Sequence, residues 1–136
     1  MMRNPNAAHI NFEDIAGLLG NLVPSNIDMV LERKGHFLIG EWKRKNEKIS
    51  KGQEILLKSF AKQPNTTVLI VSGDTDNGMV VRKFWKLDKY GTCNQVGLGL
   101  DAFKDYIVDW YLRADLSPTN LEPDSFMQPV ERNFSQ

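Results

Sequence analysis

A polar, glycine-containing turn between two apolar runs constrains the fold of this chain more than any other feature. It lies within residues 26–45, where Lys34 and Gly35 separate the two runs. Glycine readily adopts the positive φ that a tight hairpin turn needs, so the pattern predicts two antiparallel strands. A two-residue loop at Lys34 and Gly35 would place Leu31 opposite Leu38.

The same register sets two carboxylates side by side at the open end of the hairpin. It places Asp28 opposite Glu41, and opposed residues share one face of a sheet. Strand alternation brings Lys43 to that face as well. Like charges in this position repel one another, and a divalent cation such as Mg²⁺ would compensate them because it binds carboxylate oxygens. A three-residue loop would instead place Glu41 opposite Ile27.

Asp28, followed at a distance by Glu41-Trp42-Lys43, resembles the signature of the PD-(D/E)xK nuclease superfamily. In that superfamily an Asp begins one strand, and an acid-x-Lys triplet lies on the next. The resemblance covers roughly residues 11–72. The chain departs from the pattern in two respects. No Pro directly precedes Asp28, and only two strands, rather than three, are predicted before the central helix.

The resemblance implies metal-dependent hydrolysis of nucleic-acid phosphodiester bonds, with DNA as the expected polymer. Asp28, Glu41 and the Trp42 carbonyl would bind Mg²⁺, for which Mn²⁺ would substitute. Lys43 would position the attacking water and stabilise charge that builds on the phosphate. One alternative is a surface ion-pair cluster at these positions. Another is a nucleic-acid-binding or assembly protein that retains the nuclease fold without cleavage.

Gln53 has two interpretations. Ser50 and Gln53 have the spacing of a capping box, in which the Gln53 side chain bonds back to the Ser50 amide. Gln53 also begins a stripe with Leu56, Leu57 and Phe60, which would turn it toward the sheet to orient a substrate or a water. The Gly-Gln pair that ends at Gln53 is similar to the one that opens the next helix in several members of the superfamily.

Charge is distributed unevenly along a chain whose net charge is zero. Residues 33–62 carry nine Lys and Arg against three acids, whereas residues 101–136 carry three against seven. Zero net charge argues against strong non-specific binding of polyanions. The positive segment nevertheless surrounds the acidic pair, where it would attract phosphate. Its candidate substrate contacts are Arg44, Lys45 and Lys51. The alternative is a solvated lysine-rich loop, which is the better explanation for residues 44–51 taken alone.

The remaining pattern predicts an α/β domain in the order α-β-β-α-β-β-α, with a central mixed sheet of about four strands flanked by helices. This order resembles the restriction-endonuclease-like fold. Helices are predicted over 12–22 and 51–63. A continuous apolar run over 66–72 predicts a strand covered on both faces and parallel to the strand of Glu41.

Three regions follow from these assignments. Residues 1–10 are predicted to be a flexible N-terminus, residues 11–115 the nuclease-like domain, and residues 116–136 an extended tail. Glu13, in the first predicted helix, is either an additional acid of the site or a complement to the helix dipole.

The last part of the domain offers further candidates. A strand over 79–87 carries Arg82, Lys83 and Lys86 as either phosphate contacts or solvated edge residues. Glycines at 91, 97 and 99 are expected to break the chain before a helix over 101–113. Aromatic and aliphatic residues on that helix are either core or the interface of a homodimer or partner protein: Phe103, Tyr106, Ile107, Trp110 and Tyr111.

Composition favours a cytoplasmic protein without a membrane partner. Cys93 is the single cysteine, which rules out an internal disulfide and a cysteine-cluster zinc site and suits a reducing compartment. No apolar run approaches the length of a membrane span, and the N-terminal residues lack the features of a signal peptide.

Overall fold

A computed structural model describes residues 11–18, 20 and 24–119. The described elements, in chain order, are β1 (Met29–Arg33), β2 (His36–Lys43), α1 (Lys51–Ala61), β3 (Thr66–Asp74), β4 (Val80–Leu87), β5 (Cys93–Leu98) and α2 (Gly99–Leu116). The predicted N-terminal region, residues 1–10, lies outside the described residues, as does the predicted tail from residue 120 onward.

The strands form one mixed sheet in the order β1-β2-β3-β4-β5. β2 and β3 are parallel, and the other neighbouring strands are antiparallel. The helix α1 connects the two parallel strands, and the apolar run of β3 is central, with Leu69 and Val71 fully buried. The α/β class and the parallel crossover are therefore confirmed. Neither described helix is long and apolar enough to cross a membrane.

The β1–β2 hairpin has the predicted two-residue loop. Lys34 and Gly35 both have positive φ, at 50° and 85°. This combination belongs to a type I′ turn, whose twist matches that of the flanking strands. Leu31 faces Leu38, as predicted, and the ladder ends one residue before the two carboxylates.

Each face of the sheet has its own core. On the face that packs against α2, hereafter the α2 face, the buried residues are Leu38, Leu69, Val71, Val81, Phe84, Phe103 and Trp110. On the face that packs against α1, the α1 face, they are Ile39, Leu57, Val68, Ile70 and Leu87. Glu41 and Lys43 follow Ile39 at intervals of two, so they lie on the α1 face.

The aromatic stripe of α2 packs into the core of this chain. Phe103 and Trp110 are 1% and 5% exposed. The Phe103 ring meets those of Trp42 and Phe84 edge-on, at centroid distances of 5.5 and 5.3 Å. Intramolecular packing thus occupies most of the face that was offered as a dimer or partner interface. Tyr111 is the one member of the stripe with an exposed side chain.

The predicted first helix is not formed over the residues that the structure describes. Residues 13–18 are turns, and Gly17 and Gly20 have φ of 82° and 70°. These angles interrupt an α-helix, which requires negative φ at every residue. Leu18 is 71% exposed instead of packing on the sheet. Leu22 lies outside the described residues.

β5 stands where a glycine-rich break was predicted. It is an edge strand with mostly exposed residues, so its sequence carries no alternation of buried and exposed positions. Gly97 has a packing role, because a Cβ there would lie 2.4 Å from Cζ of Phe84. The described sheet therefore has five strands instead of about four. The predicted order α-β-β-α-β-β-α is not reproduced.

A β-bulge interrupts the pairing of β3 with β4. Ser72 faces Lys83, and Gly73 faces Val81, so Arg82 is the extra residue on β4. The backbones approach so closely here that a Cβ on Gly73 would lie 1.9 Å from a carbonyl oxygen of β4. The bulge therefore requires glycine at this position.

Gly73→Ala is expected to lower the free energy of unfolding by about 1–3 kcal/mol, the range typical of overpacking, because the backbone must move to admit the methyl group. Gly52→Ala is the control, since a Cβ on Gly52 meets nothing within 4 Å. It should be neutral or stabilise α1 by up to about 1 kcal/mol. Urea denaturation of both variants measures the difference, and an unchanged Gly73→Ala protein would contradict the bulge.

Candidate active site

Glu41 is a charged side chain that the sheet buries. It stands near the C-terminal end of β2 and is 4% exposed. Its burial follows from the alternation that also buries Ile39 on the same face. A buried carboxylate is costly unless hydrogen bonds and opposite charge replace its lost hydration. The neighbours of Glu41 are therefore informative.

Lys43 and Gln53 supply those interactions. Gln53 Nε2 donates to Oε1 of Glu41 at 2.6 Å, and Lys43 Nζ lies 3.5 Å from the same oxygen. Lys43 Nζ also donates to Oε1 of Gln53 at 2.5 Å. The three side chains form a closed, half-buried to buried set, hereafter the Glu41 network. It joins the end of β2 to the first turn of α1.

Gln53 therefore faces the site, as its position in the helical stripe predicted. Ser50 caps α1 through its side chain, which accepts a hydrogen bond from the backbone N–H of Gln53 at 3.2 Å. The backbone of Gln53 thus belongs to the helix cap, whereas its side chain belongs to the Glu41 network. The capping box is formed in only one of its two directions.

Asp28 stands directly before β1 and is exposed. Its Oδ2 accepts a hydrogen bond from the backbone N–H of Trp42 at 2.8 Å. This bond fixes the Asp28 carboxylate beside β2, next to the residue that follows Glu41. Because the N–H and C=O of a strand residue point to the same side, the Trp42 carbonyl is also directed toward the Asp28 side of β2.

Burial and a neighbouring charge raise the pKa of Glu41. Loss of hydration is the larger cause, and the negative charge of Asp28 adds to it. Lys43 and Gln53 oppose this rise through charge and hydrogen bonds, yet the pKa remains above its ordinary value. The two carboxylates thus lie close enough to repel, which was the basis of the predicted cation site.

The donor set suits a hard divalent cation. Asp28, Glu41 and the Trp42 carbonyl provide oxygen atoms, and Mg²⁺ is usually bound through one or two carboxylates with water completing its shell. Within the described residues, no group of three or more His, Cys, Asp or Glu side chains is placed to hold a metal ion. Asp28, Glu41 and the Trp42 carbonyl would thus supply only part of the coordination shell of such an ion.

The predicted basic contacts differ in their surroundings. Arg44 makes two 2.8 Å hydrogen bonds to the carboxylate of Asp76, so its charge is already paired. Lys51, at the first residue of α1, is 82% exposed in its side chain and 3.9 Å from Glu54. Lys45 is exposed on the loop between β2 and α1.

Glu13 makes no described contact with the Glu41 network. It is exposed, and its backbone N–H donates to Asn11 Oδ1 at 2.8 Å. Among the described hydrogen bonds and ion pairs, none joins Glu13 to Asp28, Glu41 or Lys43. The contacts of Glu13 are thus those of a local turn.

Two residues near the network were not assigned to the site from the sequence. Glu47 Oε2 lies 4.0 Å from Lys43 Nζ, and its Oε1 accepts from the Arg44 amide at 2.9 Å. Ser72 faces Lys43 across the parallel β2–β3 pair. The loop that holds Glu47 has no periodic pattern, whereas Ser72 was the last residue of a predicted strand. If the register of the parallel pair β2–β3 had been known, it would have placed Ser72 beside Lys43.

Comparisons with protein families, curated proteins and solved structures found no match. A functional assignment therefore depends on the residues and contacts described above.

In the metal-free protein, the stability of Glu41→Gln relative to wild type should increase as the pH rises. The raised pKa means that the folded wild type holds its proton above the ordinary value of 4.5, where the unfolded chain has lost it. Wild-type stability therefore falls as the pH rises through this window, and Gln removes the titration. Urea denaturation in EDTA between about pH 4 and pH 7, around the ordinary carboxyl range, measures the difference.

Glu54→Gln is the matched control. Glu54 is on α1, and its hydrogen bond with Lys58 lowers its pKa. The folded wild type gains stability as Glu54 ionises, so the difference between this variant and wild type should have the opposite pH slope. Parallel pH curves for wild type and Glu41→Gln would contradict the electrostatic description of the site.

Proposed function

We propose that this protein is a metal-dependent nuclease that hydrolyses phosphodiester bonds in nucleic acid, with DNA as the expected substrate. The observation that carries the proposal is the Glu41 network, with Asp28 held beside it by the Trp42 amide. Asp28, Glu41, Lys43 and Gln53 are the residues that the nuclease resemblance assigns. Their contacts bring these four residues together at the C-terminal end of β2, on the α1 face of the sheet.

Asp28, Glu41 and the Trp42 carbonyl would hold Mg²⁺ or Mn²⁺. Such an ion supplies Lewis acidity at a phosphate oxygen and lowers the pKa of a water molecule. Glu41 is fixed by burial, whereas Asp28 is exposed. The site is thus accessible from the Asp28 side, where a phosphate and water can approach.

Lys43 is suited to a role as a preorganised cation. Its side chain is 12% exposed and is held by Gln53 Oε1 and by the charge of Glu41. A donor held in place before the reaction requires no rearrangement as charge develops. Lys43 would orient the attacking water and stabilise the negative charge on the phosphate. Gln53 would act as a positioning residue because it contacts both Lys43 and Glu41.

The location of the network supports access by a large anionic substrate. It lies at the carboxyl ends of the parallel strands β2 and β3, next to the first turn of α1. Ligands of open α/β sheets bind at this end of parallel strands. Lys45 and Lys51 are exposed nearby in sequence, and their charge would attract phosphate.

A second function has its own support. Lys43 and Gln53 provide Glu41 with opposite charge and a hydrogen bond, so the network is also consistent with a purely structural role. In that case the chain would be a non-catalytic nucleic-acid-binding or assembly protein that retains this arrangement. The two proposals differ in what Glu41 and Lys43 variants do to metal binding and cleavage.

Mg²⁺ or Mn²⁺ should raise the thermal unfolding temperature of wild type, because a cation that binds only the folded state stabilises it. Glu41→Gln removes a ligand and should lose most of this rise, whereas Lys43→Ala keeps both carboxylates and should retain it. Glu54→Gln serves again as the control and should respond as wild type does. Differential scanning calorimetry with and without the ion provides the measurement, and an equal response of all four proteins would argue against the ion site.

Lys43→Ala should reduce Mg²⁺-dependent cleavage by about 10²–10³-fold, the loss typical when one transition-state donor is removed. Lys104→Ala, which removes an exposed lysine on α2 at the other face of the sheet, should retain most of the activity. Cleavage of plasmid and single-stranded DNA is measured for both variants and wild type. If all three proteins are inactive yet bind DNA equally well, the binding or assembly function replaces the nuclease proposal.

A further inference from the structure

We propose that Ser72, Arg82 and Lys83 form a binding site for a backbone phosphate of nucleic acid, hereafter the phosphate subsite. This inference deepens the proposed function, on which it rests for the identity of the substrate. Binding of a backbone phosphate does not itself require cleavage, so the subsite is tested separately from catalysis.

The strand register places two members of the subsite in one row with Lys43. Lys43 faces Ser72 across the β2–β3 pair, and Ser72 faces Lys83 across the β3–β4 pair. Opposed residues share a face, so all three lie on the α1 face. With strands about 4.8 Å apart, the row spans about 10 Å between the backbones of its end members.

The β-bulge directs Arg82 toward this row. Without the bulge, alternation with Lys83 would place Arg82 on the α2 face. As the extra residue of the bulge, Arg82 instead brings Nε to within 3.4 Å of the Ser72 hydroxyl oxygen. Bulges often reorient a side chain next to a functional site. Here the bulge adds a guanidinium to the face that carries the Glu41 network.

The charges of the subsite are available to an anion. Among the described residues, no carboxylate lies within ion-pair distance of Arg82 or Lys83. Arg44 differs, because its guanidinium is paired with Asp76. Unlike Arg44, the subsite residues would not have to break an ion pair with a described carboxylate before binding phosphate.

Lys86 is excluded from this subsite by its position. It faces Leu69, which is buried on the α2 face, so Lys86 lies on the opposite side of the sheet. Arg82 and Lys83 are thus the candidate phosphate contacts of β4, and Lys86 is a solvated residue of the other face. This difference provides a matched control on the same strand.

The chemistry of the subsite fits a phosphodiester group. The Arg82 guanidinium offers N–H donors in a planar fork that matches phosphate oxygens. The Ser72 hydroxyl can donate a further hydrogen bond, and Lys83 adds a point charge. Because the row separates Lys83 from Lys43, the subsite would hold a neighbouring phosphate while Lys43 acts at the reacting one. Phosphate contacts of this kind position a nucleic-acid strand without recognising its base sequence.

Fluorescence anisotropy with labelled duplex and single-stranded DNA in EDTA measures binding without metal-dependent cleavage. R82A/K83A should weaken binding by about tenfold or more and reduce the slope of log K against log salt by about 1–2, at roughly 0.9 per lost duplex phosphate contact. The control K86A/K104A removes the same charge from Lys86 on the α2 face and Lys104 on α2. It should change the dissociation constant by less than about twofold, because general charge effects are screened by salt.

K83E and K86E provide a second pair that leaves the bulge intact. The first should weaken binding and the second should not, even if R82A/K83A proves unstable. Equal effects of K83E and K86E, or a wild type that does not bind DNA, would overturn the subsite.

Cleavage assays separate this result from the proposed function. If Lys43→Ala loses cleavage while K83E binds as K86E does, the nuclease proposal stands and the subsite fails. If K83E selectively loses binding but the wild type does not cleave, the subsite stands and the nuclease proposal fails.

Discussion

Burial of Glu41 within the sheet is the interaction on which the candidate site depends. An ionised carboxylate removed from water needs partners, and Gln53 and Lys43 supply them. A buried ion pair adds little net stability, yet the loss of one partner costs several kcal/mol. Gln53 belongs to the first turn of α1, so the same contacts fix where that helix begins relative to β2. The network therefore links the end of β2 to the beginning of α1.

A second set of contacts holds the opposite end of the hairpin, at its turn. β1 is an edge strand that pairs only with β2. Asp115, near the end of α2, contacts this turn through ion pairs of its carboxylate with Arg33 and Lys34. The Arg33 hydrogen bond is the main reason that the pKa of Asp115 lies below its ordinary value. The segment after α2 adds a backbone bond to the Lys34 carbonyl. The two ends of the hairpin are thus held by different helices.

Local patterns predicted the features that short-range physics determines. The turn at Lys34 and Gly35 set the hairpin register, and the apolar run of β3 indicated a strand covered on both faces. The β3–β4 bulge was not predictable, because it depends on the close approach of two strands at Gly73. β5 was not predicted, because an exposed edge strand carries no alternation of buried and exposed residues. The first helix was predicted from the spacing of its apolar residues, but the positive φ of Gly17 interrupts a helix there. The row of Lys43, Ser72 and Lys83 required the register of three strands, which no single segment encodes.

Zero net charge does not oppose nucleic-acid binding once the charges are assigned to faces. The acids of α2 lie along the α2 face of the sheet, with Asp101, Asp105 and Asp109 exposed there. The sheet separates these acids from the α1 face, and physiological salt screens exposed charges beyond about 8 Å, so they would have little influence on a phosphate bound there. In the proposed complex, Lys43 and Lys83 would act on such a phosphate at contact distance, where screening is weak. The electrostatic field that an approaching nucleic acid would meet is set by the face of the sheet that it approaches. The acids of α2 would disfavour its approach to the α2 face. This asymmetry would orient a nucleic acid toward the Glu41 network even though the charges of the whole chain cancel.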